Sequence, residues 1–144
     1  MNKISYVYYF ISAYLSIIRI DIMLKQKGFE YVFHKYVYRY RNIGNNKSLY
    51  RDKKLVSEVN QLIKLISLVC RLFPVEAECI HRSLLVYKYT RKLHALDSQM
   101  IIGVKKFPFK AHAWVEINGK NINEPEFFTR DLHIILTSKE VFQK

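Results

Sequence analysis

Three side chains with complementary chemistry occur along this chain in the order thiol, imidazole, carboxylate. They are Cys79, His112 and Glu124. A thiolate can attack a carbonyl carbon, an imidazole can carry the proton, and a carboxylate can hold the imidazole in one tautomer. The series indicates a cysteine hydrolase or acyltransferase, which needs neither a metal nor an organic cofactor. A lone cysteine or histidine usually has a packing role, so the prediction depends on the elements that would bring the three together.

Cys79 lies where a helix is predicted to begin. A helical pattern runs from about 75 to 94 and ends in a basic tail, which suits the helix dipole. Free N–H groups and the positive end of the dipole favour a thiolate in the first turn. Glu76 and Glu78 are expected to oppose a second negative charge. We therefore expect His112 to supply part of the activation.

The segment around His112 alternates like a β-strand and ends in a turn signal. His112, Trp114 and Glu116 share one face of this strand. The Asn-Gly pair at 118–119 is compatible with two hairpins. A three-residue loop places Glu124 directly across from His112, whereas a tight two-residue turn sends Glu124 to the opposite face. The triad therefore predicts the three-residue loop.

The first half of the chain has helical periodicity. The pattern appears in an uncharged apolar run at 4–18, an aromatic stripe at 29–40 and an apolar face at 55–73. The first run is shorter than the ~18–20 residues of a membrane-spanning helix, and it lacks the cleavage site of a signal peptide. We expect a buried or surface-lying helix there, with membrane-surface contact as the alternative. Cys70, beside the third pattern, is expected to be a buried packing thiol.

The second half changes to strand patterns, at 100–104, at the His112 segment and at 132–136. Helices followed by strands indicate an α+β fold, in which the Cys79 helix packs on a small antiparallel sheet. A loop composition at 42–48 suggests a boundary inside one compact domain. It would separate a helical N-terminal region, 1–50, from a core, 51–144.

Composition narrows the function further. The chain has 144 residues, of which 50% are hydrophobic, so it is a folded domain and not a disordered segment. The net charge of +12 suits an acidic partner. However, the basic residues are scattered and no recognised nucleic-acid module accompanies them, so nucleic-acid binding is not predicted. Two cysteines without paired CxxC spacing predict neither a zinc site nor a disulfide scaffold, and a cytoplasmic location is expected.

Two segments at this separation resemble a known family. Cys-Ile-His-Arg-Ser-Leu at 79–84 and Lys-Ala-His-Ala-Trp-Val-Glu-Ile-Asn-Gly at 110–119 are similar to the B2 proteins of lasso-peptide biosynthesis. These proteins are transglutaminase-like leader peptidases, and the resemblance covers about residues 68–125. It implies a transglutaminase-like, papain-like cysteine protease core with the nucleophile on a helix N-terminus.

The resemblance also implies roles for individual residues. Cys79 corresponds to the nucleophile and His112 to the base. The third member of the family's triad is normally aspartate, and Glu124 occupies the matching position, with Glu116 as its competitor for the imidazole. The supporting residues near the site would be Arg82, Ser83, Trp114 and Glu116.

The implied activity is removal of the leader from a ribosomally made lasso precursor, which frees the amine of the core peptide. The implied partners are that precursor, a small recognition protein resembling the pyrroloquinoline-quinone chaperone, and an asparagine-synthetase-like cyclase that closes the macrolactam. Two alternatives stay open. One is a non-catalytic scaffold that docks precursor and cyclase, and the other is a different transglutaminase-like acyltransferase.

Overall fold

The computed structural model describes residues 1–43 and 52–142. Its elements, in chain order, are α1 (Lys3–Tyr40), α2 (Lys53–Leu72), α3 (Cys79–His94), β1 (Ser98–Lys105), β2 (Lys110–Ile117), β3 (Lys120–Asn121), α4 (Glu126–Thr129) and β4 (His133–Thr137), followed by a 3-10 turn at Glu140–Phe142. Helices precede an antiparallel sheet, so the predicted α+β class is confirmed.

The start of α2 and the bend in α1 follow from the residue types at those positions. Asp52 caps α2, because its side chain accepts a hydrogen bond from the backbone N–H of Lys54 at 2.9 Å. Gly28 kinks α1 with φ 80°, a conformation that costs glycine little. Among the described residues, α1 is the one helix whose length and composition would let it cross a membrane.

The sheet has four strands in the order β3-β2-β1-β4. β1 and β2 pair along their whole length, with Ile102 opposite Ala113 and Gly103 opposite His112. The inner face, which includes Ala113 and Val115, packs on α3. One core joins α1, α2, α3, β1 and β2. The predicted boundary between 1–50 and 51–144 lies outside the described residues, so that division stays a prediction.

The hairpin between β2 and β3 differs from our expectation. Asn118 and Gly119 both have positive φ, 53° and 75°, which is the signature of a tight two-residue turn. Ile117 pairs with Lys120, in the register of that turn. The predicted three-residue loop is therefore wrong. Asparagine and glycine are the residues that enter the left-handed region at least cost, so this pair favours the tight turn.

After β3 the chain forms a connection and then the short helix α4, which contains Phe127 and Phe128. The consequence for the site is that the chain leaves the sheet after Asn121, and residues 122–125 form a connection beside β2. Glu124 lies in that connection and not in a strand.

Candidate active site

Cys79 is the first residue of α3. Its backbone N–H is therefore one of the helix N–H groups without a partner inside the helix. The side chain is partly buried and faces β2, and the pKa of its thiol responds to the His112 imidazole and to the backbone of Ala113. The predicted nucleophile thus lies at a helix N-terminus, against the strand that carries the predicted base.

His112 lies between Cys79 and Glu124. Its Nε2 atom is 3.0 Å from Oε2 of Glu124, whose side chain is 2% exposed. The pair is a close charge contact that is not aligned as a hydrogen bond. Arg82, one turn into α3, forms an ion pair with the other carboxylate oxygen of Glu124. The structure therefore brings the three predicted residues together, with Arg82 behind the carboxylate.

Two asparagines that the sequence interpretation missed hold Glu124 in place. Oδ1 of Asn121 accepts hydrogen bonds from the backbone N–H groups of Asn123 and Glu124, at 3.3 and 3.1 Å. Oδ1 of Asn123 accepts from the backbone N–H of Val115 at 2.7 Å. These bonds turn the chain out of the ladder and direct Glu124 at His112. The two asparagines themselves were the available sequence signal for a turn here, because asparagine side chains often form hydrogen bonds with the nearby backbone.

Ser83, one of the predicted supporting residues, joins α3 to the sheet. Its buried hydroxyl donates to the carbonyl of Ala113 at 2.9 Å and accepts from Nδ2 of Asn123 at 3.1 Å. One side chain therefore links the helix that begins at Cys79, the strand that carries His112 and the connection that carries Glu124.

Trp114 and Glu116 pair with each other on the outer face of the sheet. Nε1 of Trp114 donates to Oε1 of Glu116 at 2.8 Å. The indole ring also covers Gly103, where an added Cβ would lie 2.8 Å from it. Glu116 is thus engaged by the tryptophan, and Glu124 is the carboxylate that contacts the imidazole.

Opposing influences act on the Cys79 thiol. Burial raises its pKa, whereas the hydrogen bond with His112, the backbone of Ala113 and the positive charge of His112 lower it, and the pKa ends below its ordinary value. Among the principal influences on the thiol, Glu124 is the carboxylate that raises its pKa. The site therefore favours a thiolate.

The pKa of the His112 imidazole is shifted in the opposite direction, upward. Its interaction with Cys79, and then with Glu124, raises the pKa of the imidazole to about 9 in spite of burial. The lowered pKa of the thiol and the raised pKa of the imidazole both favour a thiolate–imidazolium pair. Cys70 has the opposite character, because burial raises the pKa of its thiol to about 11.

A cleft of about 630 Å³ opens onto Cys79 and His112. Its walls come from α1, the segment before α3, β1, β2 and β4, and its lining is mostly apolar. Phe128 of α4 stacks on the His112 ring with centroids 5.9 Å apart. The Cys79 thiol and the His112 imidazole therefore line a mostly apolar cleft.

His81 fixes the start of α3 from inside. Its Nδ1 accepts from the backbone N–H of Glu78 at 3.1 Å, so the proton is on Nε2, which lies 3.3 Å from Oδ1 of Asp21. This imidazole, 4% exposed, ties α1 to the segment just before Cys79. Residues 1–43 and 52–142 contain no cluster of three histidine, cysteine or acidic side chains that could hold a metal ion.

The chain is similar in sequence to known proteins. The family model of the transglutaminase-like superfamily matches residues 31–137. The chain is 27% identical over 119 residues to the microcin J25-processing protein McjB of Escherichia coli. That match covers 78% of the chain and 50% of the relative, so the chain spans about half the length of the curated relative it matches. No solved structure matches the chain. The two matches confirm the resemblance drawn from the motifs.

Proposed function

The chain belongs to the transglutaminase-like superfamily, and we propose that it is a cysteine peptidase that removes the leader from a lasso-peptide precursor. The observation that carries the proposal is the Cys79–His112 pair in the lining of the cleft, with the thiol pKa lowered and the imidazole pKa raised to about 9. A buried packing cysteine has no need of such a pair. The similarity to a microcin-processing protein supports the choice of substrate.

In the first half of the reaction, the Cys79 thiolate attacks the carbonyl carbon of the scissile peptide bond. The backbone N–H of Cys79 at the start of α3 is the first candidate donor to the developing oxyanion. Nε2 of His112 faces Glu124, so Nδ1 is the nitrogen that serves the thiol and the substrate. Imidazolium then gives its proton to the leaving nitrogen, the C–N bond breaks, and the leader stays on Cys79 as a thioester.

In the second half, neutral His112 takes a proton from water and the resulting hydroxide attacks the thioester. The C–S bond breaks, Cys79 leaves as a thiolate, and the leader departs with a carboxylate at its new end. Throughout the cycle Glu124, paired with Arg82, stabilises the imidazolium and fixes its orientation. The core peptide leaves with a free amine, which is the group that a macrolactam-forming cyclase needs.

The partners in this proposal are the lasso precursor, a leader-recognition protein resembling the pyrroloquinoline-quinone chaperone, and an asparagine-synthetase-like cyclase. The proposed place of action is the cytoplasm. Genes for a short precursor, a recognition protein and a cyclase are expected beside the gene for this chain.

Mass spectrometry of the products tests the proposal. The purified chain is incubated with the precursor and the recognition protein encoded beside it, without the cyclase. Hydrolysis gives two fragments whose masses sum to that of the precursor plus one water. Joining of the leader to an added amine would indicate an acyltransferase instead. An intact precursor under conditions in which the three components form a complex would contradict catalysis and favour a scaffold.

A further inference from the structure

The exposed face of the first half of α1 is apolar. Its outward side chains are 47% to 82% exposed and follow helical spacing; they are Ile4, Tyr8, Ile11, Leu15 and Ile22. No charged residue occurs from 4 to 18. A helix on the surface of a soluble protein normally turns its charged residues outward. In this apolar stripe, uncharged apolar side chains face outward instead, which is typical of a surface that binds a partner.

The opposite face of the same helix is already used. Ala13, Ile17 and Ile20 are fully buried in the core. The hydroxyl of Ser12 is 2.7 Å from that of Tyr89 on α3, which holds the helix against the protein. α1 therefore cannot leave the core to span a bilayer while the fold is intact, and a partner reaches only its outer face.

Cations border the stripe at its far end. Arg19 and Lys88 line a surface pocket of about 360 Å³ together with Tyr8, Ile11 and Leu15 of the stripe. Nζ of Lys88 donates to the hydroxyl of Ser16 at 2.7 Å, which points the ammonium along α1. The apolar helix face suits the acyl chains of a membrane, and the cations beside it suit the phosphates of anionic lipids.

The charges around Lys88 are all of one sign. Burial, followed by the nearby cations Lys92, Arg39 and Arg19, lowers the pKa of Lys88 to about 8. Asp21 is the one acidic residue among positions 1–29, and its carboxylate faces Lys25 and His81. An anionic group at this pocket would therefore meet attraction without competition from a carboxylate of the helix.

We propose that the apolar stripe of α1 and the adjoining cations Arg19 and Lys88 dock the protein on an anionic phospholipid bilayer. The helix lies parallel to the surface, its outward aliphatic and tyrosine side chains enter the boundary of the acyl region, and the cations contact lipid phosphates. The proposal is independent of the peptidase chemistry. The uncharged run at 4–18 beside two cations favours a bilayer, which offers an acyl region next to phosphates, over a soluble protein partner.

Vesicle co-sedimentation of the full chain tests the docking. Vesicles of phosphatidylcholine mixed with phosphatidylglycerol should bind the protein at low salt, and vesicles of phosphatidylcholine alone should bind it far more weakly. Added salt should weaken the binding, since the cations contribute through charge. No binding to the anionic vesicles, or equal binding to both kinds, would overturn the proposal.

Two double variants, each lacking two positive charges, test whether Arg19 and Lys88 form part of the membrane-binding surface. Arg19→Gln with Lys88→Gln should weaken vesicle binding about thirtyfold. Lys53→Gln with Lys54→Gln removes the same charge from exposed positions on α2 and should have little effect. Equal losses in the two charge variants would show that net charge alone acts, and would contradict a specific surface.

A second pair of double variants tests the apolar stripe of α1. Ile11→Gln with Leu15→Gln should weaken binding about tenfold or more, whereas Phe107→Gln with Phe109→Gln, at the exposed β1–β2 turn, should not. Circular dichroism confirms that each variant is folded. A wild-type dimer that ignores vesicles and dissociates in the Ile11/Leu15 variant would assign the stripe to a second copy of the chain and overturn the lipid proposal.

Discussion

Glu124 contacts His112 from outside the hairpin that carries the histidine. Nε2 and Oε2 are 3.0 Å apart although β3 ends at Asn121 and pairs in the register of the tight turn. In a longer ladder of that register, the two side chains would lie on opposite faces. The contact exists because the chain leaves the ladder and returns its carboxylate to the imidazole.

Glu124→Gln tests whether this contact serves the chemistry. The amide cannot stabilise an imidazolium by charge, so we expect leader cleavage to slow by about 10²–10⁴. The His112 pKa, measured by NMR titration, should fall from about 9. Glu116→Gln is the matched control, since Glu116 bonds Trp114 and should leave both quantities nearly unchanged. The reverse ranking of the two variants would assign the orienting role to Glu116.

Alkylation should distinguish the two cysteines. The thiolate is the reactive form, and burial raises the pKa of Cys70 to about 11 whereas the pKa of Cys79 is lowered. We expect iodoacetamide near neutral pH to label Cys79 first, as read by peptide mass mapping. His112→Ala should slow the labelling of Cys79 and leave Cys70 unchanged. Preferential labelling of Cys70 in the native protein would contradict the ion pair.

The rate of cleavage should depend on pH in a bell shape. The Cys79 thiolate exists above its lowered pKa and is lost on acidification, so the acidic limb lies below the ordinary thiol value. The His112 imidazolium exists below its raised pKa and is lost as the pH rises through about 9, which sets the alkaline limb. Because the two groups are coupled, both limbs belong to the pair. A profile that only rises up to pH 9 would exclude imidazolium as the proton donor.

Gly103 should be sensitive to any side chain. An added Cβ would lie 2.8 Å from the Trp114 ring and 2.9 Å from Leu132. Gly103→Ala should therefore destabilise the fold by about 1–3 kcal/mol through overpacking, as measured by urea unfolding. Trp114→Phe removes the ring atoms in the way, so the alanine should cost less in that background. An equal cost in the two backgrounds would show that the crowding lies elsewhere.

The class of fold and the placement of two residues of the candidate site could be predicted because local rules govern them. The helical pattern that ends at His94 places Cys79 in a first turn, and alternation around His112 predicts a strand. Both positions depend on neighbours in sequence. The resemblance to a family with a cysteine nucleophile then identified which thiol to examine, a choice that spacing alone could not make between Cys70 and Cys79.

The contact between Glu124 and the His112 imidazole could not be predicted from local sequence rules. Extending the hairpin register assumed that β3 continues, and it ends at Asn121 because asparagine side chains take over the backbone bonds. The ion pair with Arg82 and the link from His81 to Asp21 depend on how α3 meets the sheet and α1. Periodicity carries no information about such contacts.

The most direct test of the central claim compares two cysteine variants in the leader-cleavage assay. Cys79→Ala and Cys70→Ala each remove one thiol, and Cys70 lies on α2 with the character of a packing residue. We predict that Cys79→Ala abolishes cleavage while circular dichroism shows a folded protein, and that Cys70→Ala retains cleavage. Persistent cleavage by folded Cys79→Ala would contradict the account.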